Sequence, residues 1–376
     1  MSLDVTSLHR STRDSNAVGD ALTAWLTETL PSGAQPEVVL HAGIETNGMS
    51  SETVLLDVIT TEEGQRVSRP YVARVAPRAE DLPVFPTYDL GAQFRAMHLA
   101  GTLTDVPVPP VSHLEETGNV LGTPFFLMER IEGQVPPDVL PYTFGDNWFY
   151  DAGPEKQREL QRSTLEVVAK LHAIPDAAST FDFLDPGAQG HGGETVLARN
   201  LAHIRAWYEF AVNEPGGRRS PLVERGFAWL VTHLPATEES VLVWGDARIG
   251  NAMYQDFKPV AVLDWEMATV GPREMDIAWM MFAHTVFQEI AGVLELPGLP
   301  DFLSEETVRA DYLEFSGVEL GDLTWYRVLC AVQWACVFLR TSARQIHFGE
   351  IERPDDPEAV FHHRPLFERL LDEVGA

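Results

Sequence analysis

The chain reads as an α+β protein built as two lobes, a small β-rich one over residues 1–130 and a larger helical one over 131–376. Three observations predict this. The 376 residues exceed what one hydrophobic core usually supports, and 45% apolar content is ample for real burial. Apolar residues recur in short β-like runs before about residue 130 and at helical spacing after Pro154. Gly133 marks a shift in composition between the two regimes.

Taken in order, helical periodicity over 20–30 stops at Pro31-Ser32-Gly33. Strands are then expected at 38–40 and 53–59, flanking a glycine-containing turn from Gly43 to Ser51. A third strand over 71–75 places Val72 and Arg74 on one face, because side chains alternate along a strand. Leu90, Phe94, Met97 and His98 give helical spacing over 88–103, and a proline-rich connection over 106–110 leads to strands near 111–114 and 124–129. Beyond Pro154 the spacing predicts helices over 156–173, 195–212, 221–232, 274–291, 305–315, 323–345 and 357–374. Two strand-like runs interrupt them, 241–243 and 260–263, and each ends on an Asp-containing segment. Two lobes joined near 129–134 are expected to leave a cleft, where ligands usually sit.

Composition excludes several functions. A formal net charge of −29 makes a field that repels phosphate backbones and anionic lipid, so neither nucleic acid nor a membrane surface is an expected partner. Cys330 and Cys336 lie in an apolar helical pattern and form neither a disulfide framework nor a zinc-ligand spacing, which fits core thiols in a reducing compartment. The N-terminus lacks the basic and apolar regions of a signal peptide, and the longest apolar runs fall short of the roughly 18 residues a membrane span needs. A cytoplasmic location is expected.

The segment that carries chemistry is Trp244-Gly245-Asp246-Ala247-Arg248-Ile249-Gly250-Asn251, followed by Val262-Leu263-Asp264-Trp265-Glu266. Phosphoryl transfer from a nucleotide needs a carboxylate to orient or deprotonate the accepting hydroxyl, and oxygen ligands for Mg²⁺ bridging the phosphates. An Asp-x-x-x-x-Asn loop and a later Asp at a strand end supply those parts. Asp246 is the expected base, and Asn251 and Asp264 the expected metal ligands, with a short β-hairpin between them bringing both ends to one place. Each residue alone is an ordinary turn or cap residue. Their order, spacing and upstream β-rich lobe together point to chemistry.

These segments, with Glu274-Met275-Asp276-Ile277-Ala278-Trp279, Leu171-His172 and Phe126-Leu127-Met128-Glu129-Arg130-Ile131-Glu132-Gly133, resemble the aminoglycoside phosphotransferases and wider kinase-like small-molecule phosphotransferases. That group includes the kinase-like domain attached to some acyl-CoA dehydrogenases. The resemblance covers most of the chain and implies a protein-kinase-like fold using ATP or GTP as phosphoryl donor with Mg²⁺. It also implies that Asp276 supports the metal loop structurally.

Three departures accompany it. The family's catalytic motif normally starts with His, where this chain has Trp244, a change expected to alter packing more than chemistry. The phosphate-anchoring cation on the third strand, often Lys, is Arg74, which can hold two phosphate oxygens through its planar fork. The helix residue expected to pair with that cation is Gln93 in place of Glu, with Asp89 one turn earlier as the alternative. By the same resemblance, backbone N–H groups over Gly43 and Gly48 with the Ser50 or Ser51 hydroxyl face the phosphates, Val72 and Arg74 belong to the nucleotide site, and Met128, Glu129 and Ile131 offer backbone groups to adenine. Gly190-His191-Gly192-Gly193 is expected to be a flexible loop, with a lid over the acceptor site as the alternative, and His362-His363 a surface turn or helix start.

The leading expectation is therefore a kinase moving the γ-phosphoryl group to a hydroxyl of a small molecule. Surplus carboxylates would suit a polycationic acceptor such as an aminoglycoside. A hydroxy-acyl compound or other metabolite competes, as does a catalytically silent kinase-like nucleotide-binding protein, the last motivated by Arg74 and Gln93.

Overall fold

The computed structural model describes residues 15–45, 51–138, 140–213, 217–237 and 239–376. Val18, Leu22 and Leu26 recur every four residues, and this stripe is the buried face of α1 (Ser15–Thr29). Strands β1 (Glu37–Glu45), β2 (Glu52–Glu62) and β3 (Gln65–Val75) follow, then α2 (Leu90–Leu103), β4 (Val111–Glu115) and β5 (Phe125–Glu129). They form an antiparallel sheet in the order β1-β2-β3-β5-β4. Alternation along β2 turns Val54, Leu56 and Val58 to one face, where they pack with the α1 stripe, Ala73, Val75, Phe125 and Leu127.

The first two strands run longer than expected. Ile44 pairs with Val54 and Glu45 with Thr53, so Gly43 lies within β1, beside a register shift between Leu40 and Ile44, and not in a turn. Cross-strand hydrogen bonding extends the ladder past the irregularity that accommodates the glycine. Gly48 and Ser50 lie outside the described residues.

The rest of the chain supplies α3 (Gly153–His172), α4 (Ala177–Thr180), α5 (Val196–Asn213), α6 (Pro221–Thr232), β6 (Val241–Val243), β7 (Ala252–Gln255), β8 (Lys258–Val262), β9 (Thr269–Gly271), α7 (Glu274–Val293), α8 (Glu305–Ser316), α9 (Thr324–His347) and α10 (Arg364–Glu373). Local chemistry sets the ends where signals are strong. Pro221 opens α6, and the Ser220 hydroxyl accepts from Val223 N–H at 3.1 Å. The helix expected over 357–374 is interrupted: a 3₁₀ turn at Pro357–Val360 precedes α10. Pro365 has no N–H to give to a preceding turn, so the helix restarts at Arg364. His363 before it is 1% exposed, not a surface residue, and its Nε2 bonds the Ala331 carbonyl. The three residues of β9, which pair with β6, are too few to leave a periodic signal.

The described residues pack as two units. One is drawn from within Met1–His98, Pro109–Ile131 and Arg344–Glu350 and holds the five-stranded sheet. The other is drawn from Leu99–Val108, Glu132–Ala343 and Ile351–Ala376. Its helix α7 is buried on nearly every side. Cys330 and Cys336 are free and buried in α9, and burial pushes both thiols above their ordinary range. Among the described residues no helix is long and apolar enough to cross a membrane.

Buried His284 has a pH consequence. Its Nε2–H donates to the Leu299 carbonyl and its Nδ1 accepts from the Tyr142 hydroxyl at 3.0 Å, an arrangement that suits the neutral ring. Burial lowers its pKa to about 4. Between that value and about 6.5 the unfolded chain binds more protons at this site, so its contribution to stability is lost as pH falls through the window, by up to about 1.4 kcal/mol per pH unit. Denaturant titrations are expected to give a shallower decline between pH 6.5 and 4.5 in His284→Phe than in the parent. Equal slopes would contradict this.

Candidate active site

The β6 strand is fully buried and delivers the chain to Trp244 and Gly245, whose backbone N–H groups both donate to the Asp276 carboxylate at 2.8 Å. Asp276 is itself 0% exposed and also accepts from His172 Nε2 at 3.0 Å. His172 Nδ1 faces the Tyr312 hydroxyl at 2.8 Å, and Arg273 donates to that hydroxyl oxygen. The directions are then determined: Tyr312 O–H must donate to Nδ1, which leaves the His172 proton on Nε2 for Asp276. Gly245 has φ +88°, and a side chain there would collide with the Met267 carbonyl, so only glycine fits where the loop meets the following segment.

From this anchor the loop projects Asp246. Its Oδ1 accepts from Trp279 Nε1 at 2.6 Å and from Arg248 Nε at 3.0 Å. Two donors on one oxygen fix the carboxylate plane and leave Oδ2 without a partner among the described residues. Arg248 also pairs with Asp138. Burial alone would lower the pKa of the Arg248 guanidinium, but Asp138 and Asp246 outweigh it and hold the group above its ordinary value.

Past the 3₁₀ turn Ile249–Asn251, β7 and β8 pair as a hairpin, with Ala252 opposite Val262. The hairpin brings the two expected metal-ligand segments together: Asn251 carbonyl accepts from Leu263 N–H at 2.8 Å, adjacent to Asp264. Trp244 ties the same point from the other side, its indole N–H donating to the Leu263 carbonyl at 2.8 Å. Asp264 takes a left-handed conformation, φ 57°, which Asp tolerates better than most residues. The Asn251 amide nitrogen donates to the Asp246 carbonyl at 3.1 Å, which turns its Oδ1 away as an available hard oxygen. One neutral oxygen and one carboxylate suit Mg²⁺, which takes one or two protein carboxylates and completes its shell with phosphate and water.

The other site candidates lie in the sheet unit. Val72 is 7% exposed in β3, between Leu55 and Met128 of the neighbouring strands. Arg74 is opposite Thr53, with Nη1 3.4 Å from its hydroxyl. Gln93 is 6% exposed in the first turn of α2, and its backbone N–H bonds the Asp89 carbonyl. Asp89 caps that helix, accepting from Ala92 N–H at 2.8 Å. Ser51 is buried, and its hydroxyl has no partner among the described residues. Met128 and Glu129 end β5. Glu129 N–H is spent on the Pro110 carbonyl and Arg130 N–H on Pro70, whereas Ile131 N–H has no partner among the described residues.

Three residues of the Asp246 site had no assigned role in the sequence. Arg248 stood inside the expected catalytic motif, where a cation two residues from the candidate base was a usable signal. Trp279 follows Asp276 by three positions, one helical turn. Asp138 lies 110 residues before its partner Arg248 and carries no local signal.

A family model described as "Phosphotransferase enzyme family" matches residues 47–314. Among curated proteins, the chain is 27% identical over 367 residues to acyl-CoA dehydrogenase family member 11 of Gallus gallus, covering 94% of this chain and 43% of that protein. It is 29% identical over 219 residues to acyl-CoA dehydrogenase family member 10 of Mus musculus, covering 57% of this chain and 18% of that protein. The chain thus spans less than half the length of these curated relatives. Among solved structures, a Ralstonia eutropha protein provisionally described as an aminoglycoside phosphotransferase aligns with TM-score 0.62 at 23% identity, over 94% of this chain and 97% of that one. The macrolide 2′-phosphotransferase MphH of Brachybacterium faecium aligns with TM-score 0.51 at 18% identity, over 91% and 96%. At these identities the alignments speak to fold, a two-lobe α+β architecture of the kinase-like phosphotransferases.

Proposed function

Because the chain belongs to the phosphotransferase enzyme family, whose model spans residues 47–314 of it, we propose that it moves the γ-phosphoryl group of ATP or GTP to a hydroxyl of a small molecule. The observation that carries the reading is the hairpin that draws Asn251 to Leu263 and Asp264 while Asp246 keeps Oδ2 open. Asp246 Oδ2 takes the proton as the acceptor oxygen bonds to the γ-phosphorus, and the bond from that phosphorus to the β,γ-bridging oxygen breaks, releasing the nucleoside diphosphate. Trp279 and Arg248 hold the carboxylate in place during this transfer. Asn251 and Asp264 would hold Mg²⁺, which neutralises phosphate charge when bound. In the sheet unit, Arg74 would anchor phosphate oxygens, and the Ile131 N–H is the free backbone donor suited to adenine.

Replacement of Asp264 by Ala is expected to remove most of the Mg²⁺-dependent rise in melting temperature that ATP or GTP produces. An unchanged thermal-shift titration would take the metal role from Asp264.

For the acceptor, the curated relatives favour a hydroxy-acyl compound, since their names place them among acyl-CoA dehydrogenases and one aligns over 94% of this chain. An aminoglycoside is the second reading, motivated by the −29 net charge and by a neighbouring structure that holds hygromycin B with ADP. Nucleotide consumption measured in parallel against hydroxy-acyl compounds and aminoglycosides discriminates them. No consumption with either class, and no Mg²⁺-dependent nucleotide stabilisation, would favour a silent binding protein instead.

A further inference from the structure

A hollow of about 460 Å³ opens in the helical unit at the entry to β6, whereas Asp246 follows that strand's exit. Its walls include Trp229 and His233 from the end of α6, Glu274 from the start of α7, and Asp322, Trp325 and Tyr326 around the start of α9. The hollow is distinct from the Asp246 site. Trp334, whose ring lies 5.2 Å from that of the Asp246-bound Trp279, stands eight residues beyond Tyr326 on α9, about 12 Å along the helix at 1.5 Å per residue.

The lining combines aromatic surface with two carboxylates, of which Asp322 feels the charges of Arg309 and Arg327 from beyond ion-pair distance. Trp229 and His233 stack at 4.5 Å, and Trp325 meets Tyr326 edge to face at 5.3 Å. Glu274 accepts from Gly321 N–H, and Asp322 accepts from the Thr324 backbone and hydroxyl. Neither carboxylate has a cation within ion-pair distance among the described residues. One polar group is also left unused. Tyr326 is 4% exposed, yet its hydroxyl has no hydrogen-bond partner among the described residues. A carboxylate pair beside aromatic faces attracts an organic cation through charge and ring quadrupole together, while a phenol hydroxyl can donate to or accept from a ligand oxygen.

We propose that this hollow binds a small organic ammonium ion of the amino-alcohol class, its nitrogen facing Glu274, Asp322 and the rings and its oxygen meeting the Tyr326 hydroxyl. The inference does not depend on the phosphotransfer reading. It is tested by titrating ethanolammonium chloride into the full chain at constant ionic strength, followed by saturation-transfer NMR of the ligand methylene protons. Millimolar binding is expected, weakened at least about fivefold in Glu274→Gln, which keeps the acceptor for Gly321, and unchanged in Asp246→Asn. Should Glu274→Gln fail to fold, Tyr326→Phe, which removes a single oxygen atom, carries the same expectation. Absence of binding, undiminished binding in a folded Glu274→Gln or Tyr326→Phe variant, loss of binding in Asp246→Asn, or equal binding of neutral ethylene glycol would each overturn the proposal.

Discussion

Asp246→Asn is expected to lower turnover by about two to four orders of magnitude, the range usually contributed by a positioned general base. Asparagine keeps an Oδ1 acceptor for the Trp279 and Arg248 donors, so the loop geometry should survive. What it lacks is the basic second oxygen, replaced by an amide that cannot take a proton. Nucleotide binding should remain nearly intact because the change falls on the acceptor side of the reaction. The check is kcat against the nucleotide-dependent thermal shift: near-normal kcat would remove the catalytic assignment, and loss of both together would point to a structural role.

The second large effect is on stability. Asp276→Ala removes an acceptor that serves the backbone N–H groups of Trp244 and Gly245 and the His172 Nε2–H, all in a site with 0% side-chain exposure. Three donors are left buried without partners, and breaking such a pair typically costs about 3–5 kcal/mol. A denaturant midpoint lowered by that amount is expected, with turnover reduced in whatever fraction still folds. A shift under about 1 kcal/mol would mean that water reaches and satisfies the donors, against the observed burial. Asn at this position should cost less than Ala but still several-fold in turnover, since its NH₂ faces N–H groups that require an acceptor.

Much of the fold was legible because it rests on local periodicity. The alternation of Val54, Leu56 and Val58 and the four-residue spacing of Val18, Leu22 and Leu26 report directly which faces are buried. The hairpin between Asn251 and Asp264 was legible for a related reason: two short segments with few residues between them have little choice but to pair back on themselves. Where local signals were weak, the reading failed. Gly43 looked like a turn residue, but the β1–β2 ladder extended through it, because cross-strand hydrogen bonding outweighs a single glycine's preference for a turn. The break before α10 was present in Pro365, yet apolar spacing on both sides disguised it.

By itself, the sequence determined the order of lobes, the candidate base and the two candidate metal ligands, since these depend on residue type and on spacing within a few dozen positions. Only the tertiary structure decided how the candidate base is held. Asp138 reaches Arg248 across 110 residues, and Trp279 reaches Asp246 across 33. It also decided that Trp244 bridges to the loop of Asp264, and that the chain Arg273, Tyr312, His172 and Asp276 anchors the backbone of Trp244 and Gly245. Such contacts arise from packing distant elements around one core, and spacing along the chain carries no record of which side chains that packing will bring within hydrogen-bond reach.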